Sequence, residues 1–320
     1  MTETDRYKAD DKVRTNICES DDDVRIIGGS GWNPERDPYG SGTASGDTSH
    51  HDEKDRKNRW EMLSMILAAL MILAAAAFLF RHISYSREFP ASRPDKEIVS
   101  CLQETMPGKA GITMETDESM GVEMKIYRID GLKAYFADTV PDLKEPSVYL
   151  VTRSADYMIQ DDKIKIIGDF IQDGVSLSKS RWRAGFMAIA DGNAQIGVSR
   201  SDIVRRYVLK QRGSFFRQMA IVSAGTRCDS QFILKGKVTR CAYARDESGR
   251  LYFIETVNPE TLYGFADALI EYGFIDAVYV TGGTQPDLFY RSEDGAPHGT
   301  YIDDKPHKLV VWTSAQTAGL

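Results

Sequence analysis

The residues of this sequence best suited to chemistry are one arginine and one short glycine-containing turn. Arg240 lies in a strand-like stretch, and its guanidinium could hold an anion such as a phosphate through two parallel hydrogen bonds. Thr281-Gly282-Gly283-Thr284 follows the apolar stretch from Ile275 to Val280. Paired glycines let a backbone approach a ligand closely, and the two hydroxyls stand at a strand end. An ion-paired arginine and a plain tight loop are the alternatives, and the residues alone leave both open.

Histidines and cysteines give weaker indications. His298 and His307 follow the glycine pair, and either could act as an acid or base, although histidines on a polar loop are more often simply solvated. Cys228 and Cys241 could form a disulfide if they lie on neighbouring strands, or they could be two separate buried thiols. Four cysteines do not make a disulfide scaffold in a chain of 320 residues, and no CxxC or histidine-rich spacing indicates a metal site.

Three elements between Gly249 and Arg291 must position the glycine turn. The first is a strand in which one side carries Leu251, Phe253, Glu255 and Val257. The second is a helix, for which we expect Asn258 as the N-cap, Pro259 in the first turn and Gly273 just past the end. Its apolar face comprises Leu262, Phe265, Ala266, Leu269 and Ile270. The third is the short strand from Ile275 to Val280, which ends at the turn.

The rest of the region after residue 124 predicts further strands and few helices. Asp173-Gly174 and Asp191-Gly192 each separate two strand-like runs and predict tight hairpin turns. Met124, Val148 and Leu309 begin other strand-like runs. We therefore expect an α+β domain with a strand-rich mixed sheet and a few helices.

The stretch from Met62 to Phe80 has Ser64 as its one polar residue. As a helix it would be about 28 Å long, close to the thickness of the hydrocarbon core of a membrane. It begins too far into the chain, and runs too long, for a cleavable signal peptide. Four basic residues precede it, Lys54, Arg56, Lys57 and Arg59, against Arg81 and Arg87 after it. This bias predicts a cytoplasmic N-terminus and a domain outside the membrane.

The first 53 residues carry six lysines and arginines against thirteen acidic residues, with few large apolar side chains. Such a composition predicts a disordered tail. We divide the chain into a disordered cytoplasmic tail (1–59), a transmembrane helix (60–81), a stalk with a short helix (82–123) and an extracytoplasmic domain (124–320). The net charge of −7 gives no indication of nucleic-acid binding.

The order of six short motifs between Val148 and Thr313 resembles the phosphodiester glycosidase family. The motifs are I-Q-D-G-V (171–175), F-M-A-I-A-D-G (186–192), Q-M-A-I-V-S-A-G (218–225), R-C-A-Y-A-R-D-E-S-G-R-L (240–251), T-L-Y-G-F-A-D-A-L (261–269) and D-A-V-Y-V-T-G-G-T (276–284). The resemblance implies a hydrolase that removes a sugar such as N-acetylglucosamine from a sugar-1-phosphodiester. It also implies that Arg240 matches the arginine of the family.

Two motifs depart from the family pattern. Thr281-Gly282-Gly283-Thr284 stands where the family has D-G-G-G-S, and R-S-A-D-Y-M (153–158) stands where it has N-G-G-F-F. A threonine hydroxyl cannot act as a general base near neutral pH and is a poor cation ligand by itself. Asp156 is the candidate replacement for the lost carboxylate, since it also follows a strand.

The resemblance therefore assigns a site on this sequence. The catalytic candidates are Asp156, Arg240, Thr281 and Thr284. The substrate-binding candidates are Arg240, Gly282, Gly283, Ser223 and Gly225. A divalent cation is possible, but no ligands for it are identified.

Two functions follow from these observations. The first is a membrane-anchored extracytoplasmic hydrolase of sugar phosphodiesters, held in a bacterial inner membrane by one span. The retained arginine and glycine pair favour it. The second is a binding protein of the same fold that has lost catalysis and recognises envelope glycans or phosphoglycans. The replaced aspartate and the missing N-G-G-F-F motif favour that alternative.

Overall fold

The structure is a computed structural model that describes residues 49–88, 91–104, 108–160, 163–232, 236–283, 288–299 and 308–314. Some expectations from the sequence lie outside what the structure describes, namely the tail before residue 49, the hydroxyls of Thr281 and Thr284 and the histidine at position 307.

Four α-helices lie within the described residues: α1 (Ser49–Glu88), α2 (Asp95–Gln103), α3 (Ile203–Lys210) and α4 (Leu262–Tyr272). α1 includes the expected span, because residues Arg59–Phe80 form one helical stretch long and apolar enough to cross a membrane. The chain divides into two compact units at a point inside α1, between Leu67 and Ala68. The strands all lie in the second unit.

The described strands are, in chain order, β1 (Gly111–Ser119), β2 (Val122–Asp130), β3 (Lys133–Ala137), β4 (Val148–Arg153), β5 (Tyr157–Gln160), β6 (Lys163–Ile166), β7 (Asp169–Gln172), β8 (Val175–Ser178), β9 (Gly185–Ala190), β10 (Asn193–Val198), β11 (Ser214–Gln218), β12 (Ala220–Ser223), β13 (Thr226–Arg227), β14 (Thr239–Asp246), β15 (Leu251–Thr256), β16 (Phe274–Gly283), β17 (Leu288–Arg291), β18 (Pro297–Gly299) and β19 (Leu309–Thr313). This content confirms the strand-rich α+β class expected from the sequence.

These strands form three large sheets and one small pair. The large sheet has the order β1-β2-β15-β14-β16-β12-β13, the second sheet β10-β9-β11-β7-β8, and the third sheet β18-β17-β4-β19-β3. β5 and β6 pair with each other. The pairings between the described strands are all antiparallel, which refines the expectation of a mixed sheet.

The main core lies where the inner faces of the three sheets meet. Tyr243 comes from the large sheet, Phe170 and Phe216 from the second, and Trp312 from the third, and all four are fully buried. The Trp312 indole donates a hydrogen bond to the Tyr243 hydroxyl at 3.0 Å, so the one polar edge of each ring is satisfied inside the core. A second cluster packs α4 on the other face of the large sheet, and a third packs α2 and α3 on the outer face of the second sheet.

The two hairpin turns expected from Asp-Gly pairs are confirmed. Asp173 and Gly174 have φ of 49° and 77° and join β7 to β8. Asp191 and Gly192 have φ of 51° and 74° and join β9 to β10. Positive φ at both central positions is the conformation that matches the twist of a two-residue hairpin.

Helix α4 begins three residues later than the sequence suggested. Thr261 is its N-cap, because the Thr261 hydroxyl accepts a hydrogen bond from the Gly264 amide at 3.0 Å. The expected cap, Asn258, precedes a short β-bridge in which Glu260 and Val238 exchange backbone hydrogen bonds, and this bridge holds the chain extended until Thr261. The expected end is correct, since Gly273 has φ of 112° in the left-handed region.

Part of the segment assigned to the stalk belongs to the folded domain. β1 pairs along its whole length with β2 at the edge of the large sheet. α2 buries Ile98 and Leu102 against the second sheet. The Ser92 hydroxyl, ahead of α2, contacts the Asp276 carboxylate at the start of β16.

Candidate functional site

The glycine pair remains within a strand instead of forming a turn. β16 continues through Thr281 and Gly282 to Gly283, which pairs with Thr239 of β14. The register shifts between Thr239 and Cys241, so β16 carries one extra residue at this point. Such a bulge increases the local twist of a strand, and bulges are frequent beside binding sites.

Arg240 lies beside this bulge, but its guanidinium binds the protein backbone. Its side chain is 1% exposed. Nε donates to the Glu260 carbonyl at 2.8 Å and Nη2 donates to the Gly236 carbonyl at 2.6 Å. These bonds fix the chain that leads into β14 to the chain that leads into α4. The structure therefore brings Arg240 close to Thr281 and Gly282 through the backbone.

Ser223 and Gly225 lie apart from the glycine pair, and Asp156 is bound by an arginine. Asp156 accepts a hydrogen bond from Arg183 Nη1 at 2.9 Å, and this partly buried ion pair joins the chain after β4 to the chain before β9. Ser223 and Gly225 lie at the β12–β13 hairpin, where the Gly225 amide donates to the Ile275 carbonyl. Ile275 lies at the opposite end of β16 from the glycine pair, roughly 25 Å along the strand at about 3.3 Å per residue.

A cleft of about 280 Å³ opens between the edge of the large sheet and the edge of the third sheet. β1, β2 and β15 form one side, and β17 and β18 form the other. The residues that line it are Met114, Lys125, Tyr127, Glu255, Leu288, Tyr290, His298 and Gly299. A volume of this size is near the lower end for small-molecule sites, so it suits a ligand of one or two rings.

The floor of the cleft carries a buried carboxylate. Glu255 is 6% exposed and stands on the same side of β15 as the core residue Phe253. The Tyr127 hydroxyl donates to Glu255 Oε1 at 2.9 Å, and the Lys125 ammonium lies 3.4 Å from the same oxygen. Burial, and then the negative charge of Glu255, raise the pKa of Tyr127 far above its usual value, so the hydroxyl remains a donor.

An aromatic wall stands over this carboxylate. The Tyr290 and His298 rings stack with 4.9 Å between centroids and 18° between planes. Tyr127 meets Tyr290 edge to face at 5.0 Å. His298 is exposed, and its Nε2 lies 3.0 Å from the Ser292 hydroxyl. It lies on β18 and faces the cleft, whereas the sequence indicated a solvated loop histidine.

The glycine pair and Glu255 belong to neighbouring parts of the same sheet. Cys241 of β14 pairs with Glu255 on one side and with Val280 on the other. Val280 is therefore two strands, or about 10 Å, from Glu255, and the glycine pair follows directly. Cys241 and Val280, which separate the two, are buried in the main core.

The two candidate disulfide partners are separate free thiols, as the second alternative held. Cys228 and Cys241 are both buried. Burial, and then the charge of Asp276, raise the pKa of Cys228 to about 12. Among the residues that the structure describes, no group of three or more His, Cys, Asp or Glu side chains is placed to share a metal ion. The cation considered from the sequence has therefore no identified ligands.

Glu255, Tyr127, Lys125 and Tyr290 were not chosen from the sequence. One signal could have found the first of them, because Glu255 interrupts the apolar side of a strand that carries Leu251 and Phe253. A carboxylate at such a position needs partners or a ligand. Its partners lie some 130 positions earlier in the chain, and no local pattern indicates that pairing.

The fold and the cleft define a strand-rich α+β domain with a small cleft between two sheet edges. No protein-family model and no curated protein matches the chain. The catalytic domain of zebrafish N-acetylglucosamine-1-phosphodiester alpha-N-acetylglucosaminidase, auto-inhibited by its pro-peptide, is similar over 66% of this chain and 84% of that one, with 11% identity and a TM-score of 0.45. A hypothetical protein from Synechocystis is similar over 63% of this chain and 62% of its own, with 9% identity and a TM-score of 0.45. Both similarities are distant.

Proposed function

We propose that this chain is a membrane-anchored, extracytoplasmic hydrolase that releases a sugar from a sugar-1-phosphodiester in the cleft between the two sheet edges. The observation that carries the proposal is Glu255, a buried carboxylate beneath an aromatic wall at the floor of a small cleft. The membrane anchor is the apolar stretch of α1. The basic residues ahead of that stretch favour a cytoplasmic N-terminus.

The aromatic wall suits a sugar ring. The apolar face of a pyranose packs on flat aromatic side chains, and Tyr290 and His298 offer a stacked pair at one side of the cleft. Lys125 stands at the mouth with its side chain 43% exposed, where an ammonium can attract the phosphodiester anion.

One carboxylate is chemically sufficient for this reaction. Glu255 would accept a proton from a water molecule as that water attacks the anomeric carbon. The bond between this carbon and the phosphate oxygen breaks, and the phosphate monoester leaves with the bonding electron pair. A phosphate monoester is a stable anion, so it needs no acid to protonate it as it departs, unlike the alcohol that leaves in ordinary glycoside hydrolysis.

In this proposal Arg240 positions the backbone and does not contact the substrate. Its bonds to the carbonyls of Glu260 and Gly236 hold the start of β14, against which the glycine pair of β16 rests. Asp156 would likewise hold the chain beyond β4 through Arg183. Both are positioning residues in this scheme, and the proton transfer belongs to Glu255.

A binding function without turnover is the second candidate. The observation that favours it is that Glu255 already has partners, because its Oε1 accepts a hydrogen bond from Tyr127 and forms an ion pair with Lys125. A carboxylate engaged in this way could orient a sugar hydroxyl and never activate water. Ligand affinity with no released sugar would be the outcome expected of such a protein.

The test is turnover by the full-length protein in detergent, supplied with a set of sugar-1-phosphodiesters that differ in the sugar. Glu255→Gln should lower the rate by roughly a hundredfold or more, because a positioned general base contributes about that much. Its amide oxygen can still accept the Tyr127 hydrogen bond, so the fold should persist. Released sugar is measured by chromatography.

The matched control is Glu247→Gln, since Glu247 is an exposed glutamate in the turn between β14 and β15. It should hydrolyse at the wild-type rate. Wild-type turnover by Glu255→Gln would contradict the proposed role. Calorimetric binding of a sugar-1-phosphodiester by the wild type, with no sugar released, would replace the hydrolase by the binding protein.

A further inference from the structure

One surface of the domain exposes apolar and basic side chains together. Trp182, in the loop before β9, is 59% exposed, and Ile203, the first residue of α3, is 40% exposed. Lys179, Arg181 and Arg206 are exposed around them. We name these five residues the Trp182 surface.

The loop and the helix of this surface are joined by an ion pair. Arg181 Nη2 donates to the Asp202 carboxylate, and Asp202 directly precedes Ile203. Trp182 follows Arg181, so it lies beside the start of α3. Arg206 is three positions after Ile203 and therefore shares its helix face.

The surrounding segment is strongly basic in an acidic chain. Residues 179–212 carry eight lysines and arginines against two aspartates, whereas the whole chain has a net charge of −7. Arg183 and Arg205 of this segment are buried and bind Asp156 and Asp169. Most of the remaining cations face outward.

This composition fits the interface of an anionic bilayer. Tryptophan is enriched at the level of the lipid headgroups, where its ring is partly apolar and its N–H remains hydrated. Each lysine or arginine close to anionic lipid adds to the attraction. An exposed apolar patch rimmed by cations is therefore complementary to such a membrane in both polarity and charge.

The Trp182 surface also lies beside the segment that follows the apolar helix. Asp95, the first residue of α2, accepts a hydrogen bond from the Ser199 hydroxyl at 3.3 Å. That hydroxyl accepts one from the Ser201 amide at 3.0 Å, directly before Asp202. Only residues 89–94 separate α2 from the end of α1 at Glu88, and six residues extend at most about 20 Å.

We propose that the Trp182 surface rests on an anionic bilayer surface, with Trp182 and Ile203 at headgroup level and the basic residues against the lipid phosphates. This proposal rests on the membrane anchoring that forms part of the proposed function. It is independent of the chemistry in the cleft. Its consequence is that the domain has one orientation on the membrane.

The experiment uses the full-length protein in vesicles of phosphatidylcholine, with or without phosphatidylglycerol, made from lipids brominated near the headgroup end of the acyl chains. Trp32→Phe and Trp60→Phe leave Trp182 and Trp312 as the tryptophans, and Trp312 is fully buried. Brominated lipid should quench the emission of Trp182 roughly twofold in anionic vesicles, as expected for an interfacial indole. Adding Trp182→Phe should abolish the quenching.

Charge reversal tests the basic part of the surface. Lys179→Glu with Arg206→Glu should reduce the quenching of Trp182 in anionic vesicles, whereas Lys144→Glu, at an exposed lysine before β4, should leave it unchanged. Equal quenching in vesicles with and without phosphatidylglycerol would overturn the charge recognition. Quenching of a Met120→Trp, Trp182→Phe protein as strong as that of Trp182 would overturn the orientation, since Met120 lies in the distant β1–β2 turn.

Failure of the anchor is distinguishable from failure of the surface. A protein that retains Trp60 and carries Trp182→Phe should be quenched whenever the span is inserted. If Trp60 is quenched and Trp182 is not, the surface proposal is overturned and the anchor stands. If neither is quenched, the anchor itself has failed and the surface proposal fails with it.

Discussion

At the scale of single residues, two charged groups of the large sheet are buried for different reasons. Arg240 gives its donors to two backbone carbonyls, those of Glu260 and Gly236, so its charge is satisfied by dipoles inside the protein. Glu255 has a tyrosine and a lysine as partners and borders the cleft. A buried charge is costly unless it is hydrogen-bonded, and only the second of these two is placed where a ligand can use it.

The buried thiols give a prediction at the same scale. Because burial raises the pKa of Cys228 to about 12, its thiolate fraction near pH 8 should be roughly a thousandfold below that of an ordinary cysteine. The thiol should therefore react very slowly with iodoacetamide in the folded protein. Cys101, which is partly exposed, should be labelled before Cys228.

Mass spectrometry of labelled peptides at successive times checks this order. Denaturant should bring Cys228 to the rate of Cys101, which separates protection by the fold from any local effect of sequence. Equal labelling of both residues in the native protein would contradict the burial of Cys228.

At the scale of elements, the start of α4 is the place where sequence and structure disagree most usefully. Thr261→Ala removes the hydroxyl that accepts the Gly264 amide and should cost about 1 kcal/mol of unfolding free energy. Asn258→Ala is the matched control. Asn258 is exposed and lies outside the helix, so its loss should change the stability by less than about 0.5 kcal/mol.

Urea unfolding of the full-length protein in detergent, followed by circular dichroism, measures both variants. Thr261→Ala should lower the unfolding free energy more than Asn258→Ala does. A larger loss of unfolding free energy in Asn258→Ala would mean that Asn258 is the N-cap, as the sequence predicted.

Local signals in the sequence predicted several elements correctly. The Asp-Gly turns at 173–174 and 191–192 and the left-handed Gly273 depend on conformations that few residues adopt, so the residue type alone indicates them. The apolar face of α4 follows from its spacing, and Leu262, Phe265, Ala266 and Leu269 are buried as expected.

Signals that depend on distant partners were not available in the sequence. Gly282 and Gly283 remain in β16 because Thr239 of β14 still pairs with Gly283, whereas the glycines alone indicated a turn. β1 was assigned to the stalk because its strand, G-I-T-M-E-T-D-E-S, is polar and exposed along much of its length. It joins the sheet by pairing with β2. An edge strand is hydrogen-bonded to a neighbour on one side only, so its other side can remain exposed and polar. The cleft depends on the approach of two sheets and therefore could not be predicted.

At the scale of the whole domain, the cleft and the segment that precedes α2 lie at opposite ends of the large sheet. Glu255 pairs with Lys125 near the end of β15. Ser92 contacts Asp276 at the other end, where the Asp276 carboxylate also binds Arg245 Nη2 at 2.7 Å. Residues that precede the domain are thus fixed to it through a buried ion pair. The Trp182 surface adjoins the same segment through Asp95 and Ser199, whereas the cleft lies at the far end of the sheet.

This connection predicts that α2 contributes to the stability of the domain, which a flexible stalk would not. Leu102 is 1% exposed and packs in the cluster between α2 and the second sheet. Leu102→Ala should therefore lower the unfolding free energy by about 3 kcal/mol, the usual cost of a cavity at a buried leucine. Leu177→Ala is the matched control, because Leu177 is an exposed leucine on the edge strand β8 and its truncation should cost less than about 0.5 kcal/mol. Urea unfolding in detergent compares the two in a full-length protein in which Phe replaces Trp32, Trp60 and Trp182, so that the emission comes from the buried Trp312. Equal midpoints for Leu102→Ala and the wild type would mean that α2 is a separable stalk.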